Sequence, residues 1–160
     1  MSNFRFSVFC KEAYTDKVTS INHDSYFIED KATDTQCHIL IGKYEQIVIF
    51  RGTEADLKNL KDLKTDLNIK CVDGKHQGFS NAYNSIQDEL YNILDDNKLT
   101  YFTGHSLGGA LALIAGSWHQ SRNKAVVTFG APRVFNYESM ILYDRQNYNL
   151  TTCYENDCDP

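Results

Sequence analysis

Ser106 is the side chain in this sequence best placed to act as a nucleophile. It occupies the centre of Gly104-His105-Ser106-Leu107-Gly108, a G-x-S-x-G pattern. A serine hydroxyl attacks well only when a neighbouring base accepts its proton and N–H groups receive the charge that develops on the attacked oxygen. The pattern is short enough to arise by chance, so its flanks decide its value. An apolar run precedes it (residues 98–103) and an alanine- and leucine-rich run follows it (107–119), which places the serine at a strand–turn–helix junction. Such a turn must be sharp for the hydroxyl to project above the end of the strand. Gly104 and Gly108 remove the Cβ atoms that would collide where strand and helix cross. Gly109 and Ala110 allow that crossing to be close. The Leu107 N–H, at the start of the helix, is expected to face a developing oxyanion, where the helix dipole adds positive potential. His105 adjoins the serine, and its side chain is expected to point away from it, into the elbow.

The rest of the chain must build the frame for that turn. Residues 7–15 are consistent with a short helix, and 26–29 and 35–42 read as strands. Residues 46–51, Gln-Ile-Val-Ile-Phe-Arg, form a continuous β-rich run of the kind that suits a central strand covered on both faces. Gly52-Thr53 breaks it. Leu57, Leu60, Leu63 and Leu67 then recur at spacings of three, three and four with Lys and Asp between them, an amphipathic helix pattern with a narrow leucine stripe. Residues 72–77 read as loop or short strand. Ser80 offers an N-cap for a helix over 81–96, with Ala82, Tyr83, Ile86, Leu90, Ile93 and Leu94 on its inner face. Further strands are predicted at 98–103, 124–129 and 148–154, and a helix at 107–119. Strands alternating with helices predict a mostly parallel sheet with right-handed crossovers. In such sheets functional residues fall just beyond the carboxyl ends of strands, where Ser106 lies.

The 160 residues fit one domain, large enough to bury roughly 70% of its unfolded surface. Apolar residues make up 42% and charged residues 23% of the chain, ordinary for a globular protein. Two prolines and nine glycines argue against disorder, and no repeat or linker is visible. The net charge of -5 does not suit a nucleic-acid partner, which requires clustered Lys and Arg. The N-terminus lacks the apolar run of a signal peptide, and no segment approaches the ~20 apolar residues of a membrane span; a cytoplasmic location is expected. Cys10, Cys37, Cys71, Cys153 and Cys158 are odd in number and scattered. They are expected as reduced thiols, with a Cys153–Cys158 disulfide as the alternative. No metal-ligand spacing such as C-x-x-C or H-E-x-x-H occurs, and no cofactor is expected.

With the elbow in place, further motifs follow in order. Asp34-Thr35-Gln36 is followed by Ile47-Val48-Ile49-Phe50-Arg51-Gly52-Thr53, then by Asp62-Leu63-Lys64-Thr65-Asp66-Leu67, and by His76-Gln77-Gly78-Phe79 up to Tyr83. After the Gly104–Ala110 elbow come Thr128-Phe129-Gly130-Ala131-Pro132-Arg133-Val134 and finally Asn156-Asp157. Together these blocks, from about residue 34 to 160, resemble the class 3 (fungal-type) lipase family, with Leu63 where the family's D-W-x-x-D-L segment carries an aromatic. The resemblance implies an α/β-hydrolase fold: a mostly parallel central sheet with helices on both faces, C-terminally incomplete in this chain. It implies hydrolysis of a lipid or other ester substrate, met at a membrane or droplet surface. It assigns the nucleophile to Ser106 and the acid that orients a histidine base to Asp157. The oxyanion donors it implies are the backbone N–H groups of Leu107 and Thr53, with the Thr53 hydroxyl as a further candidate. Residues 54–66, with Leu57, Leu60 and Leu63, would be a lid over the acyl groove. An ordinary helix packed on the core is the other reading of the same leucine stripe.

The catalytic histidine departs from the pattern. The expected order is Ser, acid, His, yet His23, His38, His76, His105 and His119 all precede Asp157. His119 lies thirteen residues after Ser106, about 20 Å away along a helix rising ~1.5 Å per residue. His76 suits a structural role better than a substitute base, and His23 and His38 read as surface or strand residues. Asp159 replaces the apolar residue usual between acid and proline. Three explanations stay open: a fragment or truncated gene product, a short pseudo-enzyme, or a non-standard base. The functional expectation is therefore a serine carboxylic ester hydrolase acting on acylglycerols or related lipids. The alternatives are an inactive domain that retains lipid binding and, more remotely, acyl transfer to an acceptor other than water.

Overall fold

Alternation along the central strands decides which helices the sheet collects. In β3 (Glu45–Phe50), Ile47 and Ile49 face one side while Val48 and Phe50 face the other. The pattern repeats in β6 (Leu99–His105) and β7 (Lys124–Phe129): Phe102 and Val126 join Val48 and Phe50, whereas Val127 joins Ile47 and Ile49. Both faces are apolar, so both must be covered. The first is covered by α2 (Gln77–Ile93) through Phe79, Tyr83, Ile86 and Leu90, by α3 (Leu107–Trp118), and by Tyr143 of α4 (Tyr137–Asn147). The second is covered by α1 (Phe4–Glu12) through Phe6 and Cys10, by Ala13 of a 3-10 turn (Ala13–Thr15), and by Val18. These relations come from a computed structural model that describes residues 3–15, 17–52, 71–72, 75–147 and 150–155.

The sheet has six strands in the order β1-β2-β3-β6-β7-β8, with β1 spanning Asp24–Asp30, β2 Thr35–Ile41 and β8 Thr151–Tyr154. Three of its five pairings are parallel, namely β3–β6, β6–β7 and β7–β8. The β1–β2 and β2–β3 pairs are antiparallel. Connection length explains the difference. Residues 31–34 and 42–44 are too short for a crossover and allow only hairpins, whereas helices connect β6, β7 and β8. A separate antiparallel ribbon pairs β4 (Cys71–Val72) with β5 (Lys75–His76).

Helix α3 is buried on nearly all sides, from Gly108 through Gly116. Its glycines at 108, 109 and 116 cost together about 2–3 kcal/mol of helix propensity. Burying Leu111, Leu113 and Ile114 contributes roughly 1.5–3 kcal/mol each, so packing outweighs propensity. The helix stops where Lys124 meets it: buried Nζ donates to the carbonyls of Gly116 (2.7 Å) and His119 (2.6 Å). A cation thus satisfies carbonyls that no helical N–H can reach. Gln46, fully buried, plays a similar part at the end of α2. Its side chain donates to Asp95 O (3.0 Å) and Thr100 Oγ1 (2.8 Å) and accepts from Asp95 N (3.0 Å).

Several boundaries differ from the sequence reading. α1 begins at Phe4 and not at residue 7. α2 begins at Gln77, so Ser80 lies within it and not at its cap; burial of Phe79 holds the extra turn. β6 continues to His105 because its parallel register with β7 runs that far. Helix α4 was not predicted from the sequence, since only Tyr143 and Asn147 of its residues are buried and its apolar periodicity is weak. A local signal was available: the Asn136 side chain accepts from Ser139 N (2.9 Å), an N-cap arrangement. Among the described residues Cys10, Cys37 and Cys153 carry free thiols, and Cys158, the partner in the alternative disulfide, lies outside them; burial pushes the Cys10 thiol up to about 11. No helix among the described residues is long and apolar enough to cross a membrane.

His119 is 3% exposed, stacks on Tyr91 and meets Phe102 edge-on, and neither ring nitrogen has a hydrogen bond. Burial, with the Lys124 charge beside it, lowers its pKa below the ordinary 6.5. The unfolded chain therefore binds a proton that the folded chain resists. This contribution to stability is complete above about pH 6.5 and is lost as pH falls toward the depressed folded value, with a slope of at most about 1.4 kcal/mol per pH unit. His119→Phe, which retains a ring between Tyr91 and Phe102, is expected to flatten that part of the pH dependence in urea unfolding between about pH 7.5 and pH 5. An unchanged slope would show that His119 does not carry it.

Candidate active site

The elbow is built where β6 ends beside β3. Ser106 has φ 55° and ψ -123°, a conformation that a non-glycine residue holds only when its surroundings impose it. Three contacts do so. The Ser106 N–H donates to Phe129 O of β7 (3.0 Å). Its carbonyl accepts from Gly109 N (2.9 Å) and Ala110 N (3.2 Å), which starts α3. A Cβ on Gly104 would collide with the Gly108 backbone, and one on Gly108 would collide with the Phe50 carbonyl. Strand, helix and neighbouring strand therefore meet backbone to backbone, which only glycine allows here.

The consequences for Ser106 are chemical. Its side chain makes no capping hydrogen bond to the helix it precedes, and the residue is half-buried. Leu107 opens α3, so its N–H has no acceptor within the helix and lies at the positive end of the helix dipole. A hydroxyl and an N–H at one helix start are the two groups that acyl transfer needs beside each other. Next to Leu107 is a hollow of about 250 Å³ lined by Asp34, Gln36, Arg51, Gly52, Ala82 and Leu111, among others. Asp34 there has φ 52°. Arg51 Nη1 donates to Gln36 Oε1 (2.7 Å), and Arg51 N donates to Gln36 O (3.0 Å), which ties the end of β3 to β2.

The histidines are dispersed. His105 is exposed and shares a hydrogen bond with Tyr14 Oη at 3.0 Å. Its ring thus turns out to the α1 side and does not enter the elbow, because Tyr14 captures it there. His23 is bonded to Ser20 (2.7 Å) and lies 3.5 Å from Glu45. Glu45 is itself held below the ordinary carboxylate range by two hydrogen bonds from Arg5. His38 is a buried strand residue packed on Phe27. His119 is at the far end of α3. Among the described residues, no hydrogen bond joins Ser106 to a histidine. His76 lies on β5, and its side chain is outside the described set. Thr53, the stripe of Leu57, Leu60 and Leu63, and Asp157 likewise fall outside the described residues. Gly130 N donates to Tyr154 O (2.7 Å) at the end of β8, and Phe129 stacks on Tyr154, so β8 ends at the same end of the sheet as Ser106. Tyr14 was not singled out in the sequence; its proximity to His105 and Gly52 is a tertiary fact that spacing does not encode. No group of three or more potential metal ligands occurs among the described residues.

Residues 47–160 match the family model described as lipase (class 3). A curated lipase of Caenorhabditis elegans is 36% identical over 113 residues, which are 61% of this chain and 32% of that protein. A Rhizopus niveus lipase is 29% identical over 122 residues, 65% of this chain and 31% of that protein. The chain thus spans about a third of the length of these relatives. Among solved structures, a lipase from Rhizopus microsporus var. chinensis superposes with a TM-score of 0.72 at 24% identity, covering 90% of this chain and 60% of that one. A triacylglycerol lipase from Penicillium expansum gives 0.72 at 20% identity, covering 95% and 66%. These likenesses carry the fold.

The backbone crossing sets a stability test. Gly108→Ala is expected to cost about 1–3 kcal/mol through forced displacement of the Phe50 carbonyl, roughly 3–10 °C of thermal midpoint for a chain of this size. Gly116→Ala, whose Cβ would meet the Val126 side chain, gains up to about 1 kcal/mol of helix propensity and is expected to lose less. Calorimetry of the two variants side by side checks the order.

Proposed function

Because the chain belongs to the class 3 lipase family, we propose that it acts as a carboxylic ester hydrolase on acylglycerols or related lipids, through an acyl-enzyme at Ser106. The observation that carries this reading is the strained Ser106 backbone at the start of α3, with the Leu107 N–H beside it. In the proposed reaction Ser106 Oγ bonds to the ester carbonyl carbon while a base takes its proton. The Leu107 N–H, with that of Thr53, receives the negative charge on the carbonyl oxygen. The alcohol leaves with the proton returned by the base, and water then cleaves the acyl-serine to release the acid. Asp157 is assigned the orientation of a histidine base. Leu57, Leu60 and Leu63 are assigned to an apolar lid face that meets a lipid surface.

A second reading is a lipase-like domain that binds lipid without cleaving it. The positions of His23, His38, His105 and His119 favour it, since each is engaged or packed away from Ser106. An unassisted serine is a poor nucleophile, although an oxyanion hole alone leaves some residual rate.

Hydrolysis of a short-chain p-nitrophenyl ester separates the readings. Ester hydrolysis at Ser106 predicts that Ser106→Ala lowers turnover at least about a thousandfold, with loss of labelling by a fluorophosphonate probe. Equal, trace turnover in the two proteins would instead establish the non-hydrolytic reading.

A further inference from the structure

We infer that Tyr14 is a positioning residue for the elbow: its hydroxyl fixes His105 and braces Gly52, and so holds Ser106 and the end of β3 in one arrangement. The inference rests on the reading of Ser106 as nucleophile. Three chain segments meet at the Tyr14 hydroxyl. The first is its own 3-10 turn, anchored by buried Phe6, Cys10, Ala13 and Val18, with Cys10 Sγ 3.4 Å from Thr103 Oγ1 of β6. The second is the end of β6, where Tyr14 Oη lies 3.0 Å from His105 Nδ1 and the rings meet edge-on with centroids 6.0 Å apart. The third is Gly52, where any Cβ would collide with the Tyr14 hydroxyl and with the His105 carbonyl.

Residue 105 immediately precedes the nucleophile, and residue 52 immediately precedes Thr53. The backbone of Ser106 is strained, and strain persists only where the surroundings over-determine it. Phe129 O constrains the serine from the β7 side; Tyr14 constrains its neighbour from the α1 side. An exposed hydrogen bond of this kind adds little to global stability. Misplacing a reacting group by a fraction of an ångström does slow reaction. Tyr14 therefore acts through geometry, and its removal is read in a rate more than in a melting temperature.

The test is the labelling of Ser106 by a fluorophosphonate probe, resolved into a saturation constant and a maximal rate. Tyr14→Phe is expected to lower the maximal rate about tenfold, with the saturation constant within about twofold and the thermal midpoint within about 3 °C of the parent. His105→Gln is expected to lower the rate similarly, and the double variant to be no slower than the slower single variant, since both remove one contact. In nitrogen-15 NMR, Tyr14→Phe is expected to move the His105 Nδ1 resonance; this readout does not depend on Ser106 reactivity. Parent-like labelling of Tyr14→Phe, additive losses, or an unmoved His105 resonance would overturn the inference. Failure of the nucleophile reading has a different signature: the parent and Ser106→Ala would be labelled alike, and the positioning role would fall with it.

Discussion

The backbone of Ser106 is the constraint around which the rest of the structure is arranged. A residue at φ 55° and ψ -123° costs about 1–3 kcal/mol and reverses the chain from strand into helix within one residue. That reversal brings α3 onto the ends of β6 and β3 at backbone distance, so positions 104 and 108 must be glycine. It also seats the helix on β3, β6 and β7 with α2 packed beside it. A helix so placed must be apolar all round, and the run from Gly108 to Gly116 is buried throughout. The strain at one residue and the composition of the following helix are thus two sides of one geometry.

Burying an element on all sides creates a second problem, since its ends carry polar groups that water cannot reach. Two side chains resolve it. Lys124, from the first residue of β7, donates to carbonyls of the last turn of α3. Gln46, in β3, completes both hydrogen-bonding valences of the turn at Asp95. The His119 ring, beside Lys124, is not resolved in this way; it is packed on Tyr91 and Phe102, with no polar partner. The end of the sheet remote from Ser106 is therefore where a proton would disturb the fold.

At the other end, the parallel strands β3, β6 and β7 deliver their last residues side by side. Phe50 is level with Gly104, and Gly104 with Thr128. This register is why Gly52, Ser106 and Gly130 all emerge together at the rim, and why Tyr14, carried by a helix on the opposite face, can touch two of those exits at once. The hollow beside Leu107 is bordered by the turn into β2 and β2 itself, by the residues just after β3, and by α2 and α3, so no single element forms it.

Much of the frame was legible in the residues. The Ile-Val-Ile-Phe run, the Gly104–Ala110 turn and the Lys-Ala-Val-Val-Thr-Phe strand follow from local steric and apolar demands, and each lies in the fold where the sequence put it. The identity of Ser106 as the residue at the turn was legible for the same reason: strand, glycine spacing and helix are all local. Helix α4 was not legible, because few of its side chains are buried and the one that joins the core, Tyr143, is held by residues outside the helix. The start of α2 at Gln77 was hidden likewise by Phe79, whose burial depends on the sheet. By itself the sequence determined the central strands, the turn between β6 and α3 and the serine on it, since steric exclusion acts between residues a few positions apart. Only the tertiary structure decided that His105 faces Tyr14 across ninety-one positions of sequence, that Lys124 ends α3, and that His119 is left without a polar partner, because those outcomes are set by which surfaces meet once the sheet has formed.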